Sequence, residues 1–370
     1  MNLGLYIHIP FCRRKCPYCN FYSVTYQHGL ADDYLAILTE IIAEINDNID
    51  TVYIGGGNPS VFQPQQLEHL LVSLGPITNR AVEVSLEANP ETLTLDKIKI
   101  LAQTGVNRLS LGAQSFDSDK LRFLGRRHRP GQIAKLIEQM QRQGLDNINL
   151  DLIYGLPQED IKHWQQELRI ATSLEVKHIS AYILSCEAAT PFSIFADKIN
   201  EQLVADMYRF TLDYLPAAGF RHYEVSNFAL QHYRCRHNLK YWQAKQYLGL
   251  GPAAASFYKN ERYQFKDSIA DYIKYRGSTA AIAYREKLTP LARAREAAAL
   301  MIRLREGINL EKFQQQTKFN LWQVINRHQL DKLVKQGLVE YKYNELNKVV
   351  AACLTKEGFI FADSVSSSMI

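Results

Sequence analysis

Between residues 3 and 184 the chain moves back and forth between two hydrophobic rhythms. Short β-branched or aromatic runs at 3–9, 51–54, 81–88, 108–111, 147–153 and 178–184 each stop at Gly, Asn, Pro or Asp. Between them apolar residues recur at helical spacing. Leu35, Ile37, Leu38, Ile41, Ile42 and Ile45 set the pattern within 32–46, and 65–73, 95–104, 131–143 and 158–173 repeat it. Strands alternating with helices of this length predict βα units around a parallel sheet. Six units before residue 190 are enough for a partial (β/α)6 barrel; an open doubly wound sheet is the alternative.

Beyond the units the pattern changes twice. A helix is predicted over 201–218, followed by a Tyr- and His-rich stretch at 220–242 and a Gly-Pro turn at 249–252. From about residue 288 helical patterns dominate: an Ala-rich one at 293–305, then 309–316 and 321–336. A hairpin is expected from 338–343 and 348–352 around the polar turn 344–347, which makes this end a small helical, winged-helix-like domain. The tail 364–370 reads as disordered. The expected division of this α/β chain is a barrel core at 1–190, an accessory region at 191–285 and a C-terminal domain at 286–370.

Composition narrows the class. With 46% hydrophobic and 22% charged residues over 370, the chain is globular and not disordered. No apolar run is long enough to span a membrane, and the first ten residues read as a strand, not a signal peptide, so the cytoplasm is the default location. The net charge of +5 is spread out. Its densest cluster, Arg126, Arg127, His128 and Arg129, reads as a solvated helix end, so nucleic acid is not expected as a partner.

Three of the six cysteines fall within eight residues: Cys12-Arg13-Arg14-Lys15-Cys16-Pro17-Tyr18-Cys19. In a chain of this kind such a cluster points to metal or redox chemistry before disulfides. Three thiolates on one loop can hold three irons of a cubane and leave the fourth open, while Arg13, Arg14 and Lys15 favour the thiolate forms. The competing readings are three unrelated buried thiols or a zinc site with a distant fourth ligand. The loop directly follows the first predicted strand, at the end of a parallel sheet where sites form.

The C-x3-C-x2-C triplet resembles the signature of the radical S-adenosylmethionine (SAM) superfamily. That resemblance implies a 4Fe–4S cluster on Cys12, Cys16 and Cys19, whose open iron is chelated by SAM, and cleavage of SAM to a 5′-deoxyadenosyl radical. Gly55-Gly56-Gly57-Asn58-Pro59-Ser60, one βα unit later, resembles the family's Gly-rich SAM-amine motif. A narrower likeness runs through residues 5–12, Ser85–Glu87 and Ala88-Asn89-Pro90, residues 107–116 and Asp151–Pro157. These are similar to the oxygen-independent coproporphyrinogen dehydrogenase group over essentially the whole chain. By that likeness Tyr6, Tyr18, Gly56, Gly57, Asn58, Glu87, Gln114, Arg126 and Asp151 contact SAM, with Glu87 taking ribose hydroxyls. Asn58 stands where Thr is common.

Two branches of that group differ at residues visible here. The dehydrogenases carry a further Cys two positions after the triplet and a longer N-terminal arm. This chain has Phe21 there and eleven residues before Cys12. Cys235-Arg236-His237-Asn238-Leu239-Lys240-Tyr241-Trp242 contains the H-N-x-x-Y-W motif of the HemW-type heme-chaperone branch, which is understood to lack dehydrogenase activity. The resemblance implies heme as a further cofactor, with His237 offered to iron, Cys235 as a second thiolate ligand or an attachment point, and Tyr241 and Trp242 offered to the macrocycle. It also implies an apo-heme-protein as client, and a cluster-dependent homodimer. The leading expectation is therefore a heme chaperone. The rivals are a coproporphyrinogen III dehydrogenase and a non-catalytic iron–sulfur scaffold.

Overall fold

A computed structural model of the chain describes residues 2–370. Six parallel strands carry the molecule: β1 (Leu3–Ile9), β2 (Ile49–Gly56), β3 (Glu83–Ala88), β4 (Arg108–Gln114), β5 (Ile148–Tyr154) and β6 (His178–Ile183). Each is hydrogen-bonded to the next in chain order, with Leu5 opposite Val52, Val52 opposite Val84, Leu86 opposite Leu109 and Leu150 opposite Ile179. β1 and β5 are buried at nearly every position, because helices cover one side of the sheet and its curvature encloses the other.

The connecting helices follow the apolar stripes. Pro130–Arg142 starts with proline in its first turn and buries Ile133, Leu136, Ile137 and Met140, one face at i, i+3, i+4 and i+7. Thr94 and Asp160 cap Leu95–Gln103 and Ile161–Ser173 by accepting the backbone N–H of Lys97 and His163.

The sheet grows at both edges without closing. Beyond β6 lie β7 (Arg221–Glu224) and β8 (Asn227–Ala229), with β8 antiparallel to β6. Beyond β1 comes β9 (Tyr247–Leu250), parallel to β1, then antiparallel β10 (Ala255–Tyr258), β11 (Glu261–Phe265) and β12 (Ile282–Lys287). The twelve strands form one open sheet, a partial barrel with a lateral seam between its two edges.

Helix Pro290–Met301 lies against that seam. Glu296 pairs with Arg262 of β11 and with Arg293, and the Arg293 guanidinium donates to the Ala244 carbonyl. Just after the helix, Leu304 bridges Glu224 of β7. A three-stranded sheet follows, β13 (Ile308–Asn309), β15 (Val349–Leu354) and β14 (Val339–Tyr343) in spatial order, with helices Leu310–Thr317 and Arg327–Lys335.

Two expectations are corrected here. The span 321–336 is not one helix: a single 3-10 turn at Leu321–Gln323 ends, and Asn326 caps a new helix by accepting the Gln329 N–H. The tail is not disordered. Ala362–Ser368 is helical, Val365 and Met369 are 1% and 0% exposed, and Asp363 pairs with Arg303 at 2.9 Å. Burial of two apolar side chains outweighs the poor helix propensity of its serines.

Candidate functional site

The C-terminal ends of β1–β5 open on a cavity of about 1060 Å³. It is lined by Cys12, Cys16, Cys19, Tyr18, Gly56, Gly57, Asn58, Glu87, Gln114, Arg126 and Asp151. Of the residues singled out for cluster and SAM, only Tyr6 stands outside it. The Tyr6 hydroxyl instead meets His8 Nδ1 at 2.9 Å beneath the cavity floor.

The cysteine loop leaves β1 and is clamped to the glycine run. Gly57 N–H donates to the Ile9 carbonyl and Asn58 N–H to the Phe11 carbonyl, both at 2.9 Å. A Cβ on Gly57 would come within 2.8 Å of both carbonyls, and one on Gly55 within 2.8 Å of the Glu87 carboxyl. Gly56 has φ +103 and its missing Cβ would collide with the His8 ring. These glycines are therefore fixed by close approach of the cysteine loop and Glu87, in addition to any ligand.

In a cubane each of the three thiolates would serve one iron; among the described residues no set of three His, Cys, Asp or Glu side chains gathers around a single ion position. Burial pushes the Cys12 thiol up to about 11 and raises that of Cys19, with the neighbouring thiols adding to both. Arg126 counters the rise at Cys12; its Nη1 lies 4.0 Å from Cys16 Sγ, while Nη2 donates to the Gly112 carbonyl at 2.7 Å. Its Nε is buried with no partner, a donor left over beside the thiols. Three thiols, an adjoining guanidinium and room for a nucleoside fit a cluster with bound SAM.

Two carboxylates face the same space. Glu87 accepts from Tyr53 Oη at 2.7 Å and from Gly56 N–H at 3.2 Å; burial pushes it up to about 7. Asp151 accepts from Ser110 Oγ at 3.0 Å and Asn149 Nδ2 at 2.8 Å, and burial raises it also. Gln114 ends β4 with φ 65 at a register shift, so its side chain is turned off the strand into the cavity. The Asn58 amide is engaged internally, accepting from Ser60 and donating to Thr92.

The H-N-x-x-Y-W segment lies elsewhere, on helix Arg236–Trp242. Glu83 caps it, accepting from Arg236 N–H at 2.7 Å and His237 N–H at 2.9 Å. Cys235 is buried, its thiol 3.5 Å from Glu83. His237 is 0% exposed: Nδ1 meets Thr51 Oγ1 at 3.0 Å, Nε2 meets Tyr241 Oη at 2.8 Å, and the ring stacks on Tyr53. Burial pushes its imidazole down to about 3. Neither Cys235 nor His237 presents a donor atom to a cavity in this arrangement. Tyr241 and Trp242 do line one: a second cavity of about 510 Å³ in the barrel seam, beside Tyr182, Glu224, Lys245 and Arg303.

Residues 6–171 match the radical SAM superfamily and residues 288–343 the HemN C-terminal domain. The heme chaperone HemW of Lactococcus lactis subsp. lactis is 32% identical over 97% of this chain and 95% of its own. This chain belongs to the HemW family of radical SAM proteins. HemW of Bacillus subtilis is 31% identical over 99% of this chain and 98% of its own. HemW of Escherichia coli is 36% identical over 68% of this chain and 69% of its own. Coproporphyrinogen III oxidase (HemN) from Escherichia coli superposes with a TM-score of 0.83 over 99% of this chain and 89% of its own, at 23% identity, which shows a shared fold. Membership implies a 4Fe–4S cluster and SAM. Among the described residues no helix is long and apolar enough to cross a membrane.

Sequence reasoning missed several residues that shape these sites. Tyr53 holds Glu87 and supports His237 at once, and its inward position on β2 was readable from strand alternation. His128 lines the first cavity, and burial pushes its imidazole down to about 4. Glu224, Lys245 and Arg303 come together only through the seam, which no local pattern signals.

Proposed function

We propose that this HemW-family protein is a heme chaperone: it binds heme, carries a 4Fe–4S cluster with SAM, and passes heme to an apo-protein. Cys12, Cys16 and Cys19 are assigned to the cluster. Tyr18, Gly56, Gly57, Asn58, Glu87, Gln114, Arg126 and Asp151 are assigned to SAM, with Tyr6 acting from behind through His8. When bound, cluster and SAM supply a one-electron reductive cleavage. The chain's own work is positional: Glu87 and Asp151 offer carboxylate oxygens to hydroxyl donors, Arg126 offsets thiolate charge, and the glycine run holds the loop in place.

The observation that carries the heme reading is the aromatic pair Tyr241 and Trp242 of the H-N-x-x-Y-W segment opening on a seam cavity, in a chain with Phe21 where dehydrogenases have a fourth cysteine. His237 and Cys235 are assigned an indirect part, His237 by holding Tyr241 and Cys235 by capping the helix. The shared fold with HemN favours the second reading, coproporphyrinogen dehydrogenation. One experiment separates them. Reconstituted protein is titrated with heme and assayed with coproporphyrinogen III, SAM and reductant. Stoichiometric heme binding without turnover is expected; turnover without heme binding would reverse the assignment.

A further inference from the structure

The inside of the barrel is polar on three consecutive strands, in a place that branched apolar side chains ordinarily fill. Ser110 of β4, Asn149 and Asp151 of β5, and His178 and Ser180 of β6 lie side by side. Ser110 stands opposite Asn149, Asn149 opposite His178, and Asp151 opposite Ser180. Ser110, Asn149, His178 and Ser180 are all buried. Ser110 and Asp151 reach the first cavity, while Asn149, His178 and Ser180 lie behind its lining. A buried polar group is tolerated only where its hydrogen bonds are made, so each bond here can be followed to its end.

The bonds run in one direction. Asn149 Nδ2 donates to Asp151 Oδ1 at 2.8 Å and to Ser110 Oγ at 2.6 Å, and Ser110 Oγ donates onward to Asp151 Oδ2 at 3.0 Å. Asn149 Oδ1 can only accept; Ser180 Oγ donates to it at 3.1 Å and His178 Nδ1 lies 2.6 Å away. Burial, with the charge of Arg108, holds the His178 imidazole well below its ordinary 6.5, so the ring is neutral and carries one proton. Facing an oxygen that only accepts, that proton must sit on Nδ1. Nε2 is then an acceptor, and Tyr223 Oη of β7 donates to it at 2.7 Å while accepting the Cys235 N–H at 3.3 Å. With its oxygen held by His178, the Asn149 amide cannot turn over. Reversed, it would set that oxygen against the Asp151 carboxylate.

We propose that His178 and Asn149 are positioning residues of the first cavity: His178 fixes the Asn149 amide as a donor to Asp151, and so keeps Asp151 an ionised, acceptor-only group for the hydroxyl or ammonium donors of the bound nucleoside. The proposal rests on the assignment of Asp151 to SAM and adds what sets the protonation state of that carboxyl. Burial works against ionisation of Asp151, and the hydrogen bonds from Ser110 and Asn149 work for it. Arg108 of β4 also favours the ionised form, while Glu87 of β3, Tyr53 of β2 and Tyr182 of β6 stand near enough to act on it by charge. A change at His178 leaves all four in place, so its effect isolates the Asn149 bond. A polar core that served stability alone would have no need to end on a carboxylate in the cavity wall.

The test uses full-length, cluster-bearing protein. With nitrogen-labelled histidine, long-range proton–nitrogen NMR between about pH 6 and pH 8 should show one imidazole that stays neutral with its proton on Nδ1, and that signal should vanish in His178→Asn. SAM affinity is then measured by calorimetry between about pH 6 and pH 9, with folding checked by circular dichroism. His178→Leu, which frees the Asn149 amide, should weaken SAM binding about tenfold near pH 7, the scale of one hydrogen bond to a charged group. The loss should shrink as pH rises and Asp151 ionises. His178→Asn, whose amide keeps a donor near the place of Nδ1, should bind within about threefold of wild type. A loss in His178→Leu that is equal at every pH, or that His178→Asn does not restore, would reduce the network to a structural role and overturn the proposal. A wild-type spectrum with no neutral Nδ1–H imidazole overturns it without any variant. If that imidazole is present but Asp151→Asn binds SAM as wild type does, the assignment of Asp151 to SAM is what fails, and the positioning role falls with it.

Discussion

Replacing Glu224 with Gln removes a buried carboxyl whose ionisation the fold opposes. Burial pushes Glu224 up to about 7 from an ordinary value near 4.5, and hydrogen bonds from Asn227 and Ser226 only partly restrain the shift. Between those values the unfolded chain has released the proton and the folded chain has kept it. Stability therefore falls as pH rises, since the folded state binds more protons than the unfolded one. The shift of about 2.5 pH units corresponds to about 3 kcal/mol, complete above pH 7 and absent below about pH 4.5. Glutamine keeps the shape and stays neutral. Glu224→Gln should come within about 1 kcal/mol of wild type near pH 5 and exceed its stability by up to about 3 kcal/mol at pH 8. Glu87 and Asp151 are also raised by burial, but they are common to both proteins and do not act on Glu224, so they cancel in the difference. Urea unfolding followed by far-ultraviolet circular dichroism at intervals from pH 5 to pH 8 measures it. A wild-type-minus-variant difference that stays flat across that range would refute the account of Glu224 as a buried, unpaired acid.

Three further outcomes are expected. Changing any one of Cys12, Cys16 and Cys19 to Ala should abolish the cluster's visible absorbance and bound iron; single variants that keep a full cluster would contradict the ligand assignment. Gly56→Ala forces a side chain onto a residue with φ +103 against the His8 ring, so it should cost about 1–3 kcal/mol in strain alone and loosen the cysteine loop, read as a lower melting temperature and weaker SAM binding by calorimetry. Tyr53→Phe removes the 2.7 Å donor that favours ionised Glu87, so its carboxyl should rise further above about 7. SAM affinity should then fall at pH 7 and recover at higher pH as Glu87 ionises; a loss independent of pH would argue for a packing effect.

The barrel was legible because its strands are buried along nearly their whole length. Such strands appear in sequence as continuous apolar runs, and helices with a single buried face alternate with them. The lengths were less legible. β2 extends through Gly56, because Ile9 and Gly56 remain in register where the apolar run has already ended in glycine. β4 extends to Gln114 across a register shift that no propensity announces. The edges were least legible. β10, β11 and β12 are antiparallel and only partly buried, and β11 and β12 are rich in charged residues, so the stretch from 255 to 287 carries neither of the two rhythms clearly. Tertiary burial alone makes the C-terminal tail helical, and no local feature of Ser364–Ser368 could have signalled that.

The two candidate sites divide along the same physical line. The residues assigned to cluster and SAM sit at the ends of successive strands, so one dimension of sequence gathers them on one face once the strands are known. The H-N-x-x-Y-W segment is a short helix whose meaning depends on what it faces. Read as sequence, His237 is the chemically richest residue in it. Packed, it lies under the sheet with both nitrogens engaged, while the less reactive Tyr241 and Trp242 reach the cavity. The i, i+4 spacing of His237 and Tyr241 explains why: residues four apart share a helix face, so an imidazole turned inward can bond to the phenol beside it. Tyr53 then stands between the sites, with its hydroxyl on Glu87 and its ring on His237. A change in how Glu87 is engaged must therefore be accommodated by the ring on which His237 and, through it, Tyr241 rest.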